Sequence, residues 1–359
     1  MASTPSPWRP GLVECIGVRI ARMRQWEFWP AWLFYVPVVA WILVQAVRTR
    51  RPTAFTATNP LMDHGGVVGE RKAVALRALA AARPERVAAF AVVPAGDVDD
   101  EAIDRVVDAL GGLPLAVKPD IGQRGRGVRI VRDRAALAAT LRSMPGDRLV
   151  QRYVGGEEYG VFVVRDPRDG AVRVTSIVHK RFPAVRGDGA RTLRRLIHDD
   201  ARARLIAPLL ARTLGDRLDA VPAAGTHVPL VQLGSHCRGA VFEDACALAG
   251  PGLQAAMQDV LDALPGFHYG RFDLRCPDAA HLARGEALQV LELNGVTAEP
   301  AHVYHPGASL WRAWVAFCAH WRIAYDIGAA NARAGVPTTS AFTLLRLFRD
   351  DLRRGAAFD

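Results

Sequence analysis

Residues 270–299 decide the fold, and they read GRFDLRCPDAAHLARGEALQVLELNGVTAE. Successive side chains of an extended chain point to opposite faces, so Asp273 shares one face of its strand with the two flanking arginines. The same period keeps Glu292 and Asn294 together on one face of the following strand. A two-stranded hairpin built from these segments would bring two carboxylates and an amide together.

These three oxygen-bearing side chains form a candidate magnesium site. Asp273, Glu292 and Asn294 are too few for an all-protein calcium cage, but they suit a Mg²⁺ ion that keeps waters and also binds substrate phosphates. Arg271 and Arg275 beside them would hold anionic groups. A plain hairpin whose charges are solvated has the same pattern. The magnesium interpretation therefore depends on a nucleotide-binding half elsewhere in the chain.

The composition favours a globular protein with an anionic partner. The chain has 359 residues, is 50% hydrophobic and 8% aromatic, and carries a formal net charge of +10. Its arginines are spread along the sequence without interleaved aromatic residues, which argues against nucleic acid as the partner. The 5 cysteines are odd in number and form no CxxC pair, so we expect neither a disulfide framework nor a zinc site.

A long apolar segment lies near the N-terminus. Residues 28–47 read FWPAWLFYVPVVAWILVQAV without a charge, and about 20 apolar residues suffice to cross a bilayer. Aromatic residues crowd its first half and arginines follow at positions 48, 50 and 51, as at the two interfaces of a membrane. Residues 28–47 are therefore predicted to be a membrane-anchor helix within an N-terminal segment, residues 1–52. A buried or interfacial helix, favoured by Pro30 and Pro37, is the alternative.

Residues 53–112 have the pattern of a short α/β unit. The expected order is a strand at 52–60, a helix within 65–84, a second strand at 87–96 and a second helix at 97–112. The run from Gly65 to Lys72 could present backbone N–H groups to an anion, although its spacing differs from a P-loop. A plain glycine turn fits it equally well.

The next stretch, residues 113–133, has features of a phosphate site. An apolar strand ends at Lys118, and a loop containing Gly122, Gly125 and Gly127 connects it to the next strand. Glycines allow the backbone to approach a triphosphate closely, and the lysine adds positive charge. Because a strand follows the glycines, a Rossmann motif is excluded. A flexible hairpin without a ligand is the alternative.

A second strand–turn–strand segment follows, with candidate contacts for a nucleoside. The extended residues 151–154, from Gln151 through Tyr153 to Val154, could offer backbone groups to an adenine edge, and Glu158 could accept ribose hydroxyls. Lys180 lies on a further strand. An amphipathic helix is predicted from about residue 193 to residue 210.

The order of these motifs resembles the ATP-grasp superfamily. The matching series is VKP with a glycine loop, QRYVGGEEYGV, a lysine strand with a GDG turn, GRFDLR and LELN, and it covers roughly residues 113–330. The chain looks most like carboxylate:amine ligases such as D-alanine:D-alanine ligase. Its VRGDGARTL stretch is similar to cyanophycin-synthetase-like members. The apolar N-terminus is similar to that of a group of membrane-associated ATP-grasp proteins.

The resemblance implies an α/β (α+β) ATP-grasp fold and a set of residue roles. Phosphates would be bound by Lys118, Lys180 and the loop of Gly122, Gly125 and Gly127. The adenine hinge would be Tyr153 and Val154 with Gln151 beside them, and Glu158 would bind the ribose. Asp273, Glu292 and Asn294 would hold two Mg²⁺ ions, with Mn²⁺ as a substitute, and Arg271 would stabilise charge at the acyl centre.

Three features depart from the family pattern. The unit at 53–112 is short for a substrate-binding domain, Gln151 stands where an acidic residue is common, and NGVTAEPAHVYHPGASL follows the last metal ligand in place of a short turn with Pro-Gly. We therefore carry over no acceptor pocket.

Three further segments complete the sequence predictions. Residues 228–242 are predicted to form a hairpin whose turn holds His236, Cys237 and Arg238, as a structural or substrate-facing loop. Glu299 and His302 lie just beyond the metal strand as substrate candidates. Helices are expected at 309–327 and 339–354, the second within an amphipathic C-terminal unit, residues 331–359.

The sequence thus predicts a membrane-associated ligase that uses ATP and Mg²⁺. The expected reaction activates a small-molecule carboxylate as an acyl phosphate for attack by an amine. We expect the catalytic part in the cytoplasm, as in a bacterial inner-membrane protein, because ATP is there. The alternatives are an ATP-grasp kinase and a nucleotide-binding membrane scaffold without turnover.

Overall fold

The computed structural model describes residues 11–122, 125–167, 169–231, 234 and 239–355. Its α-helices are α1 Leu12–Arg24, α2 Ala31–Thr49, α3 Lys72–Ala82, α4 Asp100–Ala109, α5 Arg134–Ser143, α6 Leu193–Asp199, α7 Ala207–Leu214, α8 Pro251–Asp262, α9 Ala279–Arg284, α10 Leu310–Arg333 and α11 Ala341–Gly355. Its strands are β1 Phe90–Val93, β2 Leu115–Pro119, β3 Arg129–Val131, β4 Arg148–Arg152, β5 Glu157–Arg165, β6 Val172–Arg181, β7 Ala184–Arg186, β8 His227–Pro229, β9 Val241–Asp244, β10 Tyr269–Cys276 and β11 Gln289–Asn294.

One layer of the molecule is a four-stranded sheet in the order β1-β4-β2-β3, with every neighbouring pair antiparallel. Helices α4 and α5 cover it through a core that includes Ile103, Leu115 and Leu137. Strand β1 comes from the segment 53–112 yet pairs with β4, whose Gln151 lies opposite Phe90. The short α/β unit therefore shares a sheet with the residues that follow it. Its boundary at residue 112 stays a prediction.

The second layer is a five-stranded antiparallel sheet in the order β11-β10-β5-β6-β9. In β10, Phe272 and Leu274 belong to the core beneath α3 and α8, while Tyr269 packs in the core beneath α10. The two-residue period then turns Arg271 and Asp273 to the α10 side of the sheet. The fold is thus mixed α/β with antiparallel sheets and an apolar N-terminal helix, as the sequence predicts.

Three local predictions were wrong. The strand expected at 52–60 is a 3₁₀ helix, Ala54–Ala57. The helix expected from 193 to 210 is interrupted after α6 by a 3₁₀ turn, Ala203–Ile206, before α7. The strands within 228–242 do not pair with each other, because β8 pairs with β7 and β9 pairs with β6. The proposed turn residues His236, Cys237 and Arg238 lie outside the described residues.

The apolar helix α2 lies alongside α10. Its Phe34 and Val38 are buried against Phe317 and Ala313 of α10, and the Trp41 indole donates a hydrogen bond to the Cys318 carbonyl at 2.8 Å. Among the described residues it is the one helix long and apolar enough to cross a membrane, by length and composition only.

A buried asparagine ties the segment before α3 to the start of β10. The Asn59 side chain is fully buried. Its amide group donates to the carbonyls of Gly65 and Tyr269 at 3.1 and 2.8 Å, and its oxygen accepts from the N–H groups of His268 and Tyr269 at 2.9 and 3.0 Å. One side chain thus satisfies four backbone groups of two distant segments.

We expect Asn59→Ala to lower the free energy of unfolding by about 3 kcal/mol, because the buried backbone groups would lose their partners. Urea unfolding of the full chain measures this. The matched control is Asn331→Ala. The half-buried Asn331 amide donates to the carbonyls of Ala57 and Thr58, so its loss should lower the free energy of unfolding by only about 1 kcal/mol. Equal losses for the two variants would contradict the tethering role of Asn59.

Candidate functional site

The pairing of β10 with β11 brings the predicted metal ligands to one face. Asp273 lies opposite Glu292 and Arg271 lies opposite Asn294, so all four side chains share a face of the sheet. A bulge follows Asp273 in this ladder. The strands are joined through helix α9 and not by a tight turn. The sequence period was therefore sufficient to assign the face, although the connection is not a simple hairpin.

The Asp273 carboxylate is buried among positive charges. Its Oδ2 lies 3.0 Å from the Lys180 Nζ and its Oδ1 accepts from the Arg271 Nε at 2.8 Å, while the Asn294 amide donates to Oδ2 at 3.3 Å. Burial would raise the pKa of Asp273, but Arg271 and Lys180 outweigh it and hold that pKa well below its usual range. The carboxylate is consequently ionised at any pH near neutrality.

Glu158, the predicted ribose ligand, lies between two cations. Its Oε1 is 3.1 Å from the Lys180 Nζ, and its Oε2 accepts from the Arg275 Nη2 at 3.0 Å. Arg275 also donates to the Val154 carbonyl at 2.7 Å and lies over the Tyr153 ring, 5.1 Å from its centroid. The residues predicted to contact adenine and ribose are therefore next to one another.

Lys118 extends from the four-stranded sheet to the five-stranded sheet. Its Nζ donates to the Gln151 side chain and to the Leu291 carbonyl of β11, both at 2.9 Å. Burial lowers the pKa of Lys118 to about 8, against the opposing effect of Glu292. Gln151 is buried and its amide group donates to the Ala88 carbonyl. The Gln151 side chain thus positions Lys118, while its backbone lies in β4 between β1 and β2.

The N-terminal end of α3 adds a third lysine. The Lys72 Nζ lies 3.5 Å from the Glu292 Oε1 and donates to the Gly122 carbonyl. The first turn of α3 is itself capped, because the Ala73 N–H donates to the Asp120 side chain at 2.8 Å. The run from Gly65 to Lys72 therefore contributes side chains to the site. The Ala73 N–H group of the first helical turn is bonded to Asp120 and is not free to bind an anion.

A buried carboxyl reaches the same site through a close crossing of two chain segments. A Cβ at Gly66 would come within 2.6 Å of the Gly295 Cα, so the backbones can cross here only with glycine in both places. The crossing brings Glu70 beside the end of β11. Its Oε2 is buried with no hydrogen-bond partner among the described residues.

Burial raises the pKa of Glu70 to about 8, with Lys72 opposing the rise and Glu292 adding to it. The carboxyl therefore holds a proton at neutral pH. The sequence prediction did not assign Glu70. A lone carboxylate between Val67-Val68 and Lys72 in a glycine-rich turn was the available signal.

A single pocket joins most of these groups. Its volume is about 570 Å³, within the range of about 300–1,000 Å³ typical of ligand sites. The predicted site residues that line it are Lys118, Gly122, Gly125, Gln151, Tyr153, Val154, Glu158, Lys180, Arg271, Asp273, Glu292 and Asn294. Gly127 does not line it, and residues 123 and 124 of the loop lie outside the described part of the chain.

The N-terminal segment forms a wall of the pocket, which the sequence did not predict. Trp26 and Trp29 before α2, and Phe34 and Tyr35 within it, line the cavity. The Tyr35 hydroxyl donates to the Glu299 carboxylate. No local pattern links residues so far apart in sequence, so only the fold reveals the contact.

The other substrate candidate, His302, has a structural contact. Its Nδ1 lies 2.7 Å from the Ser176 hydroxyl, and it is not among the residues that line the pocket. Glu299 lines the pocket, and the Arg271 Nη1 donates to its carbonyl at 3.4 Å. Of the two, Glu299 is therefore the better placed to contact a substrate.

The donor chemistry fits Mg²⁺ and a nucleotide. In the described part of the chain no three His, Cys, Asp or Glu side chains form a metal cluster. The predicted ligands are the two carboxylates of Asp273 and Glu292 and the Asn294 amide. Such an oxygen set suits a Mg²⁺ ion completed by water and phosphate, and not zinc. Lys118, Lys180 and Arg271 supply positive charge for phosphate oxygens in the same pocket.

Comparison with solved structures finds a ligase and two synthetases. The D-alanine–D-alanine ligase from Bacillus anthracis is 16% identical with a TM-score of 0.41, over 74% of this chain and 67% of that one. The D-cycloserine synthetase DcsG is 16% identical with a TM-score of 0.39, over 70% of each chain. The bifunctional glutathione synthetase from Pasteurella multocida is 16% identical with a TM-score of 0.36, over 67% of this chain and 35% of its own.

The chain spans only about a third of the glutathione synthetase. No protein-family profile matches the chain, and no curated protein matches it. With identities this low and TM-scores below 0.5, the similarity does not extend to activity or substrate.

Glu70 gives a prediction about stability. Its folded-state pKa of about 8 exceeds the ordinary value of 4.5, so the folded state binds more protons than the unfolded state between these pH values. Stability contributed by this group is therefore present below pH 4.5 and is lost as pH rises towards 8. Glu70→Gln should raise the free energy of unfolding at pH 8 by about 2 kcal/mol or more, and change it little near pH 4.5.

Denaturant unfolding at the two pH values measures this difference. The matched control is Glu85→Gln, at an exposed glutamate. Its free energy of unfolding should stay within about 0.5 kcal/mol of that of the parent protein at both pH values. A Glu70→Gln variant that is destabilised equally at both pH values would show that the buried carboxyl is not protonated.

Proposed function

We propose that the protein is an ATP- and Mg²⁺-dependent ligase that joins a small-molecule carboxylate to an amine. One observation carries the proposal: three cations and three oxygen ligands converge on one pocket between the two sheets. Lys118, Lys180 and Arg271 meet Asp273, Glu292 and Asn294 there. Phosphoryl transfer depends chiefly on positioning and on neutralising phosphate oxygens, which is what such a set supplies.

ATP would transfer its γ-phosphoryl group to the substrate carboxylate, giving an acyl phosphate and ADP, and the amine would then displace phosphate to form the amide. Mg²⁺ held by these residues would neutralise the phosphate oxygens. Lys118, on the four-stranded sheet, and Lys180, on the five-stranded sheet, would both bind phosphate oxygens. Asp273 and Glu292, with Asn294, would bind two Mg²⁺ ions. These roles require Lys180 and Arg271 to exchange part of their present contact with Asp273 for contacts with phosphate.

The remaining residues would place the substrates. The backbone of residues 151–154 would bind adenine, Glu158 would accept ribose hydroxyls, and the loop of Gly122, Gly125 and Gly127 would cover the phosphates. Arg271, whose Nη1 donates to the Glu299 carbonyl, would offset the negative oxygen that develops when the amine attacks. Glu299 and the N-terminal aromatic residues would form the acceptor side of the pocket.

Association with a membrane is a second part of the proposal. Helix α2 has the length and composition for it, and the arginines around it would favour anionic lipids. We place the ATP-binding unit, with residues 113–330 as its main part, on the cytoplasmic side because ATP is present there.

The experiment is ADP release by the purified full chain with MgATP and pooled carboxylates and amines. We expect release that needs one acid and one amine together. Asp273→Asn and Glu292→Gln should each reduce it about 100-fold or more, because each removes charge that holds the metal. Binding of Mn²⁺ in the presence of a non-hydrolysable ATP analogue, followed by electron paramagnetic resonance, should weaken in both variants.

The matched control is Glu286→Gln, an exposed glutamate in the connection between β10 and β11, which should retain full activity. A stable phosphorylated acid formed without any amine would instead identify a kinase. Tight MgATP binding without release from any pool would favour the scaffold, and absence of MgATP binding would overturn the proposal.

A further inference from the structure

The apolar helix α2 has two different faces. Its outer face, which we define as Trp32, Val36, Val39, Leu43 and Val47, is 49–78% exposed. Leu33 and Val44 add further exposed apolar surface beside it. Helical spacing places Phe34, Val38 and Gln45 on the opposite, inner face, where all three are buried. A helix apolar on both faces, yet buried on only one, leaves the outer face to be covered.

The inner face is fixed to the catalytic unit by polar contacts along its whole length. The Tyr35 hydroxyl donates to Glu299 at the pocket, and Arg48 pairs with Asp326 of α10 near the other end. The Trp314 indole also donates a hydrogen bond to the Phe34 carbonyl at 3.0 Å. The Trp41 indole donates one to the Cys318 carbonyl at 2.8 Å. These contacts hold α2 parallel to the surface of the protein.

A helix held in this way is poorly suited to cross a bilayer. Spanning would require either breaking the contacts to α10 or taking α10 into the hydrocarbon with it. Helix α10 exposes Arg312, Arg322 and Asp326, and charged groups are costly in the bilayer interior. Lying in the interface instead buries the outer face and leaves every observed contact intact.

The charges around α2 indicate which surface it meets. Arg19 and Arg24 of α1 are exposed before it, and Arg50 and Arg51 are exposed at its end. In a symmetric dimer through this face, arginines of one copy would approach arginines of the other, which is unfavourable. An anionic lipid surface would pair with all of them, at about 1 kcal/mol for each basic residue near the surface.

We propose that α2 lies in the plane of an anionic membrane interface, with its outer face among the acyl chains and both of its ends on the side of the ATP pocket. This rests on the proposed membrane association and replaces a spanning anchor with an interfacial one. Because Phe34 and Tyr35 line the pocket, only the thickness of one helix, about 10 Å, separates the acceptor side from lipid.

The first test is binding of the full chain to phosphatidylcholine vesicles with and without phosphatidylglycerol, measured by co-sedimentation. We expect binding to the anionic vesicles that weakens with salt. The double variant Val39→Glu with Val47→Glu should lose affinity about tenfold or more. The matched control, Val74→Glu with Val221→Glu, changes two valines elsewhere that are 43% and 49% exposed and should bind within about twofold of the parent.

The second test separates lying on the membrane from crossing it. In sealed inside-out membrane vesicles, an impermeant maleimide should label the exposed Cys15 and an Arg50→Cys variant from the same side, and alkaline carbonate should release the protein. Labelling from opposite sides, with resistance to carbonate, would overturn the proposal in favour of a spanning helix.

Two further outcomes would also overturn it. Dimerisation without vesicle binding, abolished by the Val39→Glu and Val47→Glu pair, would show that a second copy covers this face. Absence of both vesicle binding and dimerisation would remove the interface altogether. MgATP binding, measured on each variant, reports on the nucleotide site separately, so failure of the ligase proposal is distinguishable from failure of this one.

Discussion

The site depends on a chain of buried charges whose signs alternate. Arg271, Asp273, Lys180, Glu158 and Arg275 follow one another through successive ion pairs at 2.8–3.1 Å. Burying one such charge without a partner costs several kcal/mol, so each charged side chain depends on an oppositely charged neighbour. Neighbouring strands make the chain possible, because β10 and β6 both pair with β5 in the middle of the sheet.

One glycine in that central strand makes room for the charges. Gly160 of β5 lies opposite both Asp273 and Val178, and a Cβ there would come within 2.9 Å of the Arg271 side chain. A side chain at position 160 would therefore displace Arg271 from Asp273. Any anionic ligand of the proposed site would have to replace the contacts that Lys180 and Arg271 make with these carboxylates.

The sequence predicted those parts of the site that follow from local period. Alternation along β10 and β11 assigned Asp273, Glu292 and Asn294 to one face, and the strands around Lys118 and Glu158 were found in the expected places. The predicted catalytic and binding roles stay predictions, since positions alone do not test them. The face assignment was predictable because it depends only on the backbone geometry of an extended chain.

Long-range pairing was not predictable in this way. The strands within 228–242 carry a hairpin pattern, yet each pairs with a different strand, since a short apolar run does not specify its partner. The segment at 52–60 has strand-like residues but forms a 3₁₀ helix, where Asn59 is needed to tie it to β10. Tertiary contacts outweighed local propensity there.

The same limit explains why the sequence could not decide between a membrane anchor and a buried or interfacial helix for the N-terminal segment. The composition of the helix shows how apolar it is, but its contacts are made with residues about 270 positions away, such as Glu299, Trp314 and Asp326. These contacts make α2 a wall of the pocket on one side and an uncovered apolar surface on the other. Any movement of α2 would therefore act on Glu299 through Tyr35, so the exposed apolar face of the helix and one wall of the pocket are mechanically one element.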